Sequence, residues 1–162
     1  MPLEYSHFMS TYSKWFVVSS LLYLLLGGIL ALLMAWQPSW IFILRFSHIH
    51  AMVIGWITLM IFGLGYHVIP RFCGKPLVNN RVQATHWWLA NIAMMGMIGV
   101  PILKNIFPHF SSLLKMSFIF FGSLQFIGIL IFVGTLFHVL DIFPIRACSL
   151  QTKRCCSMDQ CK

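Results

Sequence analysis

Acidic side chains are nearly missing from this chain: Glu4, Asp141 and Asp159 stand against eleven Lys and Arg, for a net charge of +8. Nothing in their placement resembles an acid–base dyad, and three carboxylates are too few for a chain of them relaying protons. Charge of either sign is scarce, at 9% of residues, where soluble domains carry about 25%. That shortage, with 59% hydrophobic residues and a mean hydropathy of +0.85, excludes an ordinary soluble core. No phosphate-binding glycine loop, nucleophile–base pair, internal repeat or low-complexity segment is present. Because the basic residues sit at apolar-run ends and in loops, topology and anionic head groups account for them, and nucleic acid is not an expected partner.

What is present is apolar sequence in four runs, at roughly 15–36, 46–70, 83–103 and 113–140. About 20 residues at ~1.5 Å each cross a bilayer as a helix. Gln37-Pro38, the polar stretch Pro70 to Asn80, and Lys104, Asn105 and Pro108 break the runs. Trp15, Trp36, Trp40, Trp87 and Trp88 fall near their ends, where an aromatic belt belongs. The first run is too long for a signal-peptide core and has no A-x-A-like cleavage site, so it is expected to be retained. The expected fold is all-α, an integral membrane four-helix bundle over residues 1–143. A polar tail over 144–162 carries Cys148, Cys155, Cys156 and Cys161. The C-x6-C-C-x4-C spacing of that tail matches no standard zinc pattern.

Loop charge gives an orientation. Lys14, Arg71, Lys75, Arg81, Arg146, Lys153, Arg154 and Lys162 share one side, and Arg45, Lys104 and Lys115 the other. The positive-inside rule then places both termini in the cytoplasm, with the bacterial inner membrane as the expected location.

Histidines stand out against this background, because an ionisable side chain inside a bilayer is costly and marks a candidate functional site. His48 and His50 fall at the outer end of the second run. His67, His86 and His138 fall at the inner ends of three different runs. On a helix, residues two apart point about 200° from each other, so His48 and His50 cannot serve one metal ion. His48 and His67 are separated by roughly 28 Å of helix and cannot share a centre either. The expectation is an outer site at His48 and an inner one drawn from His67, His86 and His138. Imidazoles at such positions suit haem iron or copper. Met34, Met97 and Met116 lie near the depth of His48, as does any histidine of a symmetric partner chain. Arg71 and Arg81 stand beside the inner set, where they could pair with haem propionates. The plainer alternative for each histidine is an interfacial side chain reaching the head groups.

The stretch SHIHAMVIGW, followed by YHVIPRF and THWWLAN, resembles the early helices of haem–copper oxidase subunit I, in particular the C-family enzymes. IFVGTLF resembles the next helix more weakly, so the resemblance covers roughly residues 40–140. It implies a low-spin b-type haem held by His48 and a role in respiratory electron transfer or in handling haem or a diatomic gas. It further implies company, either another copy of the chain or other oxidase subunits. Full-length members have about twelve helices, with the oxygen-reducing haem–copper centre on later ones. The expectation is therefore a small subunit-I-like protein rather than an oxygen-reducing enzyme. A copper-carrying or structural assembly factor is the alternative.

Overall fold

The computed structural model describes residues 9–140. All regular structure there is helical, and four spans are long and apolar enough to cross a membrane: Thr11–Trp36, Pro38–Phe72, Asn80–Ile106 and Pro108–Val139. The expected boundary near residue 143, the cysteine tail and all three acidic residues lie outside the described residues.

Helix α1 (Thr11–Trp36) starts where the Ser10 hydroxyl accepts from the Ser13 amide at 3.2 Å. It stops at Gln37, whose extended backbone precedes a 3-10 turn at Pro38–Trp40. The second span has three parts: α2 (Ile41–His50), a π-helical segment (Ala51–Thr58) and α3 (Leu59–Phe72). A π-helix widens the backbone by bonding each residue to its fifth neighbour, and such insertions cluster at functional sites. Two local causes are visible. Thr58 Oγ1 donates to the Val53 carbonyl at 3.0 Å, competing with the ordinary ladder. Gly55 lies so close to α1 that a Cβ there would sit 2.7 Å from Tyr23 Cβ.

Pro70 does not end its helix, contrary to the sequence expectation. It is buried inside α3, which continues to Phe72. The stop comes from a Schellman turn: Gly74, at φ +64°, donates to Arg71 O (3.1 Å), and Lys75 N donates to Pro70 O (2.8 Å). Helix α4 (Asn80–Ile106) begins on the Asn79 side chain, which accepts from Arg81 N at 2.9 Å. Its start lies earlier than hydropathy indicated because polar residues of its first turns are also packed. Gln83 is fully buried; its Oε1 accepts from Ser10 and Ser13 at 2.6 and 3.0 Å, and its Nε2 donates to Val78 O at 2.8 Å. After a 3-10 turn at Pro108–Phe110, α5 (Ser111–Val139) completes the bundle.

Packing follows chain order: α1 lies along the whole second span, α4 packs on α5, and α4 also meets α1 and α2. We call the end where α1 begins and α5 finishes proximal, and the opposite end distal. Close approach depends on glycine. Five glycines are closely covered by side chains: Met52 packs on Gly27, Tyr23 on Gly55, Phe16 on Gly63, Phe132 on Gly65 and Phe121 on Gly96, whereas Gly28 and Gly99 face open space. Small-residue contacts of this kind drive helix association in lipid, where apolar burial between helices gains little.

Candidate functional site

At the proximal end, the core closes around His86. Its imidazole is fully buried, with ring centroids of Phe62, Phe16, Tyr66 and Phe132 at 4.6, 5.0, 5.7 and 6.3 Å. All four spans thus contribute to one cage. Tyr66 Oη and His86 Nδ1 share a hydrogen bond of 2.7 Å. Nε2 has no hydrogen-bond partner among the described residues. It faces Gly128 of α5, where an added Cβ would lie 3.3 Å away, so glycine makes room for the ring. Gln125, one turn from Gly128, is also buried, with neither amide atom partnered among the described residues.

His67 follows Tyr66 directly and so points about 100° around α3 from it. It is half-buried, with Nδ1 enclosed and unpartnered among the described residues. His138 is exposed near the end of α5, and Arg71 and Arg81 are half-buried and exposed at the proximal turn. The structure therefore does not gather His67, His86 and His138 into one set. Among the described residues no group of three or more metal-donor side chains converges.

The distal end is organised differently. His48 reaches across to α1, where its Nδ1 bonds the Gly27 carbonyl at 2.9 Å. A carbonyl only accepts, so Nδ1 carries a proton, and in the neutral ring the lone pair is then on Nε2. That is the tautomer a metal-ligating histidine needs, with a backbone carbonyl as the partner that orients the ring. Met52 lies one turn on, with its sulfur against Gly27. His50 diverges from His48, as its spacing requires. Its Nδ1 donates to Phe46 O at 2.9 Å, and its ring stacks on Phe46 (4.2 Å) and meets Phe118 of α5 (6.0 Å). Both distal histidines thus face other helices of this chain. Of the methionines at this depth, Met97 is buried, Met34 half-buried and Met116 exposed.

Some participants escaped sequence reasoning. Phe62 and Tyr66 stand four apart beside Gly63 and Gly65, a ring pair on one helix face, and this was the available signal. Gln125 was more conspicuous, being a strongly polar side chain in the middle of the fourth apolar run.

Comparison with known proteins adds a decisive observation: the family model for cytochrome c and quinol oxidase polypeptide I matches residues 11–155. The chain belongs to that family. The match spans all four transmembrane helices, more than the stretch 40–140 over which the resemblance was read. No curated protein and no solved structure matches the chain.

Polypeptide I proteins hold haem and copper as a family, and the two ends of this member differ in how they fit such groups. Distally, His48 is half-buried beside the π-helical segment, with Nδ1 tied to the Gly27 carbonyl and Nε2 making no hydrogen bond among the described residues. The donor chemistry fits haem iron. Proximally, a flat macrocycle at His86 would require the Phe62 or Phe16 ring to withdraw, so that site does not fit haem. Arg71 and Arg81 belong to the proximal end, about 35 Å of helix from His48, too far to pair with propionates there. Arg45, Lys104 and Lys115 are the distal cations.

Proposed function

We propose that this oxidase polypeptide I family member is a multi-pass protein of the bacterial inner membrane that binds b-type haem through His48. Its role on this reading is respiratory electron transfer or the handling of haem or a diatomic gas. The observation that supports the reading is the His48–Gly27 bond, which orients the ring and leaves Nε2 free to act as a ligand, in a chain of a haem-binding family. Bound haem would supply a one-electron iron couple. The chain's own part is to hold the imidazole tautomer and ring orientation through the Gly27 carbonyl.

Met52 shares a helix face with His48, about 5–6 Å between Cβ atoms, so the two side chains would not hold one haem between them. A second haem-holding residue would come from elsewhere in the bundle, from a symmetric copy of the chain, or from another oxidase subunit.

The same neighbourhood favours a second reading. An imidazole and a thioether on one helix face form a donor pair suited to copper in its reduced state, as in a copper-carrying assembly factor for a respiratory oxidase. One experiment separates these readings: visible spectra of the detergent-purified protein, oxidised and dithionite-reduced, together with copper analysis and a His48→Ala variant. A reduced α-band lost or shifted in the variant supports haem at His48. Copper without a band, abolished by either His48→Ala or Met52→Leu, supports the carrier. A band unchanged by the variant rejects His48 as ligand.

A further inference from the structure

The distal end also bears a groove between α2, α4 and α5, with a volume of about 450 Å³. Its walls come from Phe46 on α2, Pro101, Lys104 and Asn105 on α4, and Lys115 and Phe118 on α5. Phe46 and Phe118 meet edge to face at 5.4 Å, and His50 packs against both, so the apolar wall is held by three rings. Two ammonium groups and the Asn105 amide stand at this mostly apolar groove. No described residue carries a carboxylate side chain, so no fixed anion of the described chain can neutralise them.

We propose that this groove binds one anionic phospholipid. The phosphate lies between Lys104 and Lys115, and an acyl chain runs along Phe46 and Phe118. Depth supports this occupant. The exposed rings of Trp36, Trp40, Phe107 and Phe110 mark the same end of the bundle as a membrane interface, the level at which phosphates reside. Selectivity must come from the head group, because lipid tails are as apolar as the side chains they touch and bulk lipid competes for the wall equally. A neighbouring groove on the outside of α2 carries Arg45 but draws every wall residue from that one helix, so it clamps nothing. The groove assignment does not depend on the haem reading.

The test is native mass spectrometry of the full chain in mild detergent, titrated with phosphatidylglycerol and, in parallel, phosphatidylcholine. Each lysine near a phosphate is expected to contribute about fivefold, and the pair on the order of twenty-fold, in preference for the anionic lipid. One phosphatidylglycerol retained per chain with that preference supports the site, provided Lys104→Gln with Lys115→Gln brings the ratio near one. Both lysines are exposed, so the double variant is expected to keep its helix content, which circular dichroism checks. Arg45→Gln should leave the preference intact. Equal loss in Arg45→Gln would show general distal charge and overturn the assignment. So would persistence of the preference in the double variant, displacement of the lipid by inorganic phosphate, or a lipid-free dimer covering the groove.

Discussion

At the scale of single residues, His86 is a costly buried group with one ring nitrogen bonded and the other unpartnered among the described residues. A buried polar atom without a partner costs far more than a formed hydrogen bond returns, and in membranes the net return averages only about 0.6 kcal/mol. The Tyr66 hydroxyl matters because its loss leaves Nδ1 buried and unpaired, as Nε2 is among the described residues. Tyr66→Phe, which keeps the ring and removes only the oxygen, is therefore expected to destabilise the fold by about 1–3 kcal/mol. Equilibrium unfolding by denaturing detergent, followed by circular dichroism, measures this. His86→Ala should cost about 2–5 kcal/mol, since it also opens a cavity among four aromatic rings. Hydropathy alone hid this burial. His86 adjoins Trp87 and Trp88 and looked like the edge of a span, but α4 starts at Asn80, which puts it nearly two turns inside. Trp87 moved inward with it: its Nε1 donates to Ser19 Oγ at 3.0 Å, and its ring packs on Trp15. His48 was legible for the opposite reason, because a motif and a clear spacing both pointed to it.

At the scale of elements, the four spans were readable because twenty-odd apolar residues between polar breaks have few alternatives in a bilayer. Their interior features were not. A π-helical segment leaves no mark on composition; it arises from the Thr58 side chain and the approach of Tyr23 to Gly55 across two elements. Pro70 likewise could not be recognised as helical, since the bonds that close the helix belong to Gly74 and Lys75 further on. The Gly55 contact gives the sharpest element-level expectation. An added methyl would meet the stem of Tyr23, which cannot swing away as a ring tip can. Gly55→Ala should cost about 1–3 kcal/mol by overpacking. Combining it with Tyr23→Ala should cost less than the sum of the two single changes. Additive costs in a double-mutant cycle would mean that α1 does not press on the π-helical segment.

At the scale of the whole molecule, the unequal ends give the bundle a direction. The proximal end closes through the Gln83 cluster and the His86 cage, whereas the distal end holds the oriented His48 and the lysine groove. Which end faces the cytoplasm is argued from loop charge alone, by weighing Lys14, Arg71, Lys75, Arg81 and the four basic residues after residue 143 against Arg45, Lys104 and Lys115. Packing carries no record of that choice, because a bundle satisfies its contacts equally well in either orientation. Cys73 supplies the experiment: it is exposed in the proximal turn between α3 and α4. In a variant with Cys148, Cys155, Cys156 and Cys161 changed to Ser, a membrane-impermeant maleimide should leave Cys73 unlabelled in spheroplasts. It should label Cys73 once the membrane is permeabilised. A cysteine placed at His109, exposed in the distal turn, should show the reverse, with labelling in sealed spheroplasts. Labelling of Cys73 without permeabilisation would invert the bundle. His48 and the lysine groove would then face the cytoplasm, and a haem at His48 would need an electron donor from that side of the membrane.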